Sequence, residues 1–131
     1  MLDINEYCHF VRSTTSQPSL DVRDFSGKMY ELNNWFVSPQ ILTAVIGMQS
    51  ETGEFAEIVK KIIFQGKEMT NDQRYHMKRE LGDIIWYWCQ GCMALGYTPE
   101  EVIAENIKKL ESRYPNGFEV FRSENRKEGD L

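Results

Sequence analysis

The order of apolar and polar residues along the chain predicts helices throughout. Asp3 followed by Glu6 carries the reciprocal capping pattern, and Tyr7, Phe10 and Val11 continue at helical spacing, so a short first helix is predicted over about 3–15. Residues 16–37 lose that regularity. Pro18, Gly27 and the pair Asn33-Asn34 punctuate them, and Trp35 and Phe36 follow, which predicts a loop packed by aromatic rings. Ser38-Pro39 then opens a long helix with a hydroxyl cap and a proline whose missing N–H costs nothing at the first helical position, and Gly66 closes it. Ile41, Ala44, Met48, Phe55, Val59 and Ile62 fall on one side of that helix at about 100° per residue. Thr70 with Gln73 caps a third helix that ends near Gly96, and its stripe runs Met77, Leu81, Ile84, Trp88, Cys92 and Leu95. Thr98-Pro99-Glu100-Glu101 combines a capping box with proline at N1 and opens a fourth helix bearing Val102, Ile103, Ile107 and Leu110, which Pro115-Asn116-Gly117 ends. The tail beyond, with Arg122, Glu124, Arg126, Lys127 and Glu128, is predicted to fray or to fold onto a partner subunit. Strand-like alternation is nowhere sustained. The expected fold class is all-α, a helical bundle of about four to five helices.

Composition narrows the setting. A chain of 131 residues with 41% apolar and 27% charged side chains is the size of one ordinary domain, and no repeat or low-complexity block divides it. One domain is therefore expected over 1–131, with a motif-bearing core at about 38–118 and a charged tail at 119–131. Chains this long bury about two thirds of their unfolded surface, so the fold needs no disulfide or structural metal. Three cysteines, an odd number, agree with that and point to a reducing, cytoplasmic home. The start MLDINEYCHF has neither a basic n-region nor an apolar h-region, and no window approaches the roughly 20 apolar residues of a membrane span. A net charge of −5 argues against binding a nucleic-acid polymer, which requires a concentrated Lys/Arg surface. Small anions stay open as ligands, through local cations.

Glu51 and Glu54 are three residues apart, as are Glu80 and Asp83, and on a helix that spacing puts both side chains of a pair on one face. At about 100° per residue each pair lies beside the apolar stripe, not opposite it. Packing the two helices stripe to stripe then gathers four carboxylates within roughly 5 Å of their neighbours, where like charges repel strongly. Protons, lysines or a divalent metal must neutralise such a cluster. Oxygen donors select hard cations, so Mg²⁺, or Mn²⁺, fits better than zinc, and Mg²⁺ commonly binds substrate phosphates as well. Neither pair has the histidine of the Glu-x-x-His di-iron bundles. The plain alternative is that these are solvated helix-face charges in a chain with 20 acidic residues, and spacing alone leaves both open.

Other residues bear on the same question. Lys61 lies seven residues after Glu54, two turns along the same stripe, whereas Lys60 points elsewhere. Asn106, Lys109 and Arg113 share a face of the fourth helix, giving an amide and two cations suited to phosphate oxygens, or else an ion-pair surface with Glu105 and Glu111. His76 stands one turn before Glu80 and Tyr87 one turn after Asp83; each has a supporting or surface role unless it touches substrate. Cys89 and Cys92 have CxxC spacing inside a helix, away from the N-terminus that would lower a thiol pKa, so they read as packing.

Three segments in order, GMQSETGEFAEIVKK (47–61), ELGDIIWYW (80–88) and ENIKKLESRYPNGF (105–118), resemble the MazG-like members of the all-α nucleotide pyrophosphohydrolase superfamily, and the N-terminal NEYCHFV is similar to that family's first helix. The resemblance covers about residues 40–120. It implies Mg²⁺-dependent cleavage of a nucleoside triphosphate between the α and β phosphates, releasing the monophosphate and pyrophosphate. It implies metal ligands at Glu51, Glu54, Glu80 and Asp83, which thereby become the catalytic residues. It implies substrate contacts at Asn106 and Lys109, with Arg113 and Tyr114 as further carry-overs, and a homodimer or homotetramer. Many relatives have two adjacent glutamates in the first motif; here the earlier position is Ser50, and Glu54 or Glu57 is left to take over any water-positioning role. Trp35 offers a ring for stacking a nucleobase, with core packing as its plainer role and that of Trp86 and Trp88.

The function expected is therefore hydrolysis of an NTP or dNTP with Mg²⁺. Two rivals stand beside it. One is pyrophosphohydrolysis of another substrate, such as phosphoribosyl-ATP or a guanosine alarmone. The other is a catalytically silent nucleotide- or partner-binding helical module.

Overall fold

In the computed structural model, residues 3–126 and 129 are described. They form seven helices and no strand: α1 (Ile4–Thr14), α2 (Gln17–Leu20), α3 (Val22–Asn34), α4 (Gln40–Phe64), α5 (Asn71–Ala94), α6 (Pro99–Arg113) and α7 (Val120–Glu124). The all-α class holds. The chain divides after Pro39 into two compact units.

In the first unit, the Asp3 side chain accepts the Asn5 N–H and caps α1. The stretch 16–37 corrects the loop expected there. Asp21 accepts from the N–H groups of Arg23 and Asp24 and starts α3, which runs for 13 residues. Its end is a Schellman closure: the Val37 N–H reaches the Leu32 carbonyl and the Phe36 N–H reaches that of Asn33. Phe36, not glycine, takes the left-handed conformation this closure demands, with φ of 62°. Nor do the aromatic rings pack this segment, since Trp35 is 81% exposed and Phe36 also faces outward.

The second unit is built on α4 and α5, which pack antiparallel along most of their length. The Gln40 amide at the start of α4 bonds Gln90 near the end of α5. Small residues set their separation: Ala44 and Ala94 are buried, Gly91 faces the Ala44 methyl, and the Tyr87 ring lies flat on Gly47. Thr70 caps α5 by accepting the Gln73 N–H, and the capping box at Thr98 and Glu101 opens α6 with both reciprocal bonds made. Gly96, at φ of 76°, lets α5 end in a second Schellman closure, with the Tyr97 N–H on the Cys92 carbonyl.

Several stripe residues depart from expectation. Leu81 is 52% exposed, Leu95 also stands out of the core and Trp88 is half-buried, while Trp86, expected to pack in the core, is exposed too. Cys92 is buried and Cys89 half-buried, both as free thiols, which agrees with packing. In the tail, residues 120–124 form α7 instead of fraying, and Arg122 pairs with Glu119 at 2.8 Å. Lys127 and Glu128 lie outside the described residues. No helix among the described residues is long and apolar enough to cross a membrane.

Candidate functional site

The register that lays Tyr87 on Gly47 also sets the middle of α4 against the first half of α5, and four carboxylates meet there. Ligand oxygens of Glu51, Glu80 and Asp83 all lie within 4.8 Å of one another, and those of Glu54 and Glu80 fall within the same span together with a ring nitrogen of His76. Glu80 belongs to both groups. It is the one charged residue buried among those described, with 5% of its surface exposed. A carboxylate so placed requires a compensating partner.

The chain supplies part of that compensation itself. His76 Nε2 lies 2.9 Å from Glu80 Oε1, an (i, i+4) contact along α5. Glu51 and Glu80 face each other across the helix pair, close enough for each carboxylate to feel the other. Partial burial first, then the Glu54 charge, the close approach of Glu80 and the Asp83 charge push Glu51 above its ordinary pKa. Neither Lys60 nor Lys61 pairs with the cluster. Lys60 and Lys61 both bind Glu57, Lys61 at 3.2 Å, and hold that carboxyl below its ordinary value. Glu57 is thus clasped by two lysines, whereas Glu54 stands with Glu80 and His76.

A divalent cation fits these donors. Ligands about 2.1 Å from Mg²⁺ sit roughly 3 to 4.2 Å from one another, a spacing within what the two groups span. A cation would also neutralise the buried charge of Glu80 and relieve the repulsion around it.

The remaining residues singled out from the sequence fall in different places. Lys61 lines a cleft of about 320 Å³ with Glu54, Glu57, Ser50 and His76. Glu51 and Ser50 also border an apolar hollow of about 400 Å³ walled by Leu42, Ile46 and Tyr87. Asn106 and Lys109 line another cleft, of about 870 Å³, with Leu95, Tyr97 and Glu105, and none of the four clustered carboxylates borders it. Arg113 lies 6.0 Å from the ring of Tyr114, which packs on Phe118. Trp35 belongs to the first unit. His76 is the residue that sequence reasoning undervalued. Its spacing from Glu80 was visible; its approach to Glu54 depends on the α4–α5 register.

Fold and site together define a class: an all-α protein whose longest helix pair gathers acidic side chains able to hold a divalent cation. The chain belongs to the MazG nucleotide pyrophosphohydrolase domain family, which residues 40–118 match. It is also similar to the Gene 37 protein of Mycobacterium phage L5, at 35% identity over 83 residues, 62% of this chain and 72% of that one. No solved structure gives a significant match.

Proposed function

We propose that the chain hydrolyses a nucleoside triphosphate, ribo or deoxy, to the monophosphate and pyrophosphate, with Mg²⁺ or Mn²⁺ held by Glu51, Glu54, Glu80 and Asp83. The observation that carries this is the buried Glu80 shared by two groups of donors. A bound divalent cation supplies the positive charge that polyphosphate oxygens demand as the anhydride breaks. The residues do the rest. Glu80 and Asp83 fix the position of that charge from α5, and Glu51 does so from α4. Glu54 accepts a proton from the attacking water. Lys61, once drawn from Glu57 by a more highly charged phosphate chain, stabilises the leaving pyrophosphate. Asn106, Lys109 and Arg113 hold substrate oxygens, while Tyr114 offers a ring to the base. The setting is the cytoplasm, and the working form is a homodimer or homotetramer.

The test is pyrophosphate release over all eight common nucleotides, with phosphoribosyl-ATP and a guanosine alarmone alongside, in Mg²⁺ and in chelator. Metal-dependent release from at least one triphosphate is expected. Glu54→Gln and Asp83→Asn should each lower it on the order of a hundredfold or more while leaving far-UV helicity intact. Full activity in both variants overturns the assignment, and metal-dependent binding without turnover of any compound points to the silent module.

A further inference from the structure

The two donor groups that share Glu80 are chemically unlike. Glu51, Glu80 and Asp83 offer oxygen only, whereas Glu54, His76 and Glu80 bring in an imidazole nitrogen. The histidine is well placed to bind an ion. Its side chain is 55% exposed, so it can turn without disturbing the core, while its Nε2 already lies 2.9 Å from the buried Glu80. It also faces the cleft that holds Lys61, where a phosphate chain would enter. As a mere ion pair, a half-exposed histidine beside one carboxylate would add little. Beside two carboxylates from different helices, it completes a three-point donor set on one side of a shared ligand.

We infer that His76 is a metal ligand: with Glu54 and Glu80 it forms a second cation position next to Glu51, Glu80 and Asp83, and it tunes that position toward Mn²⁺ or Co²⁺ over Mg²⁺. This rests on the metal-assisted function proposed above. Imidazole suits the later first-row ions, whose affinity for nitrogen donors exceeds that of Mg²⁺, an ion that keeps to oxygen and to its own waters. The oxygen-only group has no such preference built in. Glu80, the member common to both groups, would serve both positions.

The experiment uses the full chain stripped with chelator. Mn²⁺ binding is followed by loss of the free-ion EPR signal, with Mg²⁺ as competitor, for the wild-type chain and His76→Gln. The wild-type chain should prefer Mn²⁺ over Mg²⁺, and the variant should lose about tenfold in Mn²⁺ affinity while Mg²⁺ affinity stays within about twofold. A second readout needs no variant. The Co²⁺-loaded chain should show a strongly shifted, exchangeable imidazole N–H proton resonance that vanishes in D₂O; in His76→Gln it should be missing from the start. An unchanged Mn²⁺ to Mg²⁺ ratio in the variant, or a Co²⁺ spectrum without that proton, overturns the role of His76 while metal-dependent pyrophosphate release leaves the proposed function standing. A wild-type chain that binds neither ion overturns both.

Discussion

At the scale of single residues, the site is a place where the fold accepts electrostatic cost. Glu51 shows the sign of that cost: a carboxyl whose pKa rises on folding is less stable ionised in the folded chain than in the unfolded one. The folded metal-free chain therefore takes up its proton at a higher pH than the unfolded chain does. Stability contributed this way grows as pH falls from neutral through the folded pKa of Glu51, and the gain levels off below the ordinary value of 4.5. Two outcomes follow for urea unfolding in chelator. The midpoint of the wild-type chain should rise as pH is lowered from about 7.5 toward 5, before general acid effects set in. Glu51→Gln should unfold at a higher midpoint than wild type at neutral pH, with a flatter dependence on pH, and should gain less from added metal. A variant less stable than wild type at neutral pH, or equally pH-dependent, would show that the charge on Glu51 is not what limits the metal-free fold.

At the scale of elements, the α4–α5 register matters more than any one side chain, because it decides which residues face one another. Gly47 fixes it. A methyl group there would sit 2.1 Å from Tyr87 Cδ1 and 2.5 Å from Cγ, and because Cγ is at the root of the ring, a turn about the ring axis cannot clear the clash. Gly47→Ala gains up to about 1 kcal/mol in helix propensity, yet overpacking of this kind costs about 1–3 kcal/mol, so net destabilisation in urea is expected. In a Tyr87→Ala background the same change should be neutral or stabilising, which separates ring contact from any other effect of the methyl. The same register explains what the sequence disclosed and what it withheld. Helices α4, α5 and α6 were legible because each carries start and stop signals, Pro39, Thr70 and Thr98 at one end and Gly66, Gly96 and Gly117 at the other. Helix α3 was not, since it closes on Phe36 in a conformation normally given to glycine, and its cap at Asp21 follows Pro18 too closely to stand out as a helix start. The carboxylate pairs were legible from their spacing along each helix. The meeting of His76 with Glu54 was not, because it is a property of how two helices slide past each other and leaves no mark on either alone.

At the scale of the whole molecule, the exposed surface argues for company. Among the described residues the fully buried side chains are small, and no large one is below 2% exposure. On α5, Leu81 and Ile85 form an exposed apolar step one turn apart, and Trp86 stands beside them. On α4, Val45, Ile46, Ile63 and Phe64 face outward as well. Apolar area of this extent is characteristic of a surface that meets another protein chain, and burying one leucine or isoleucine is worth about 1.5–3 kcal/mol. A second copy of the chain is the simplest occupant, since two like faces can cover each other in closed symmetry. Light scattering after size exclusion should accordingly give the mass of a dimer or tetramer at micromolar concentration. Leu81→Glu combined with Ile85→Glu should shift it to the mass of one chain, because two charges would then have to be buried where two apolar groups were. Those positions flank Glu80 and Asp83 on the same helix, so the shift should also lower pyrophosphate release. If the doubly substituted chain keeps both its assembled mass and its activity, the contact lies on another face, and the outward residues of α4 become the next to substitute.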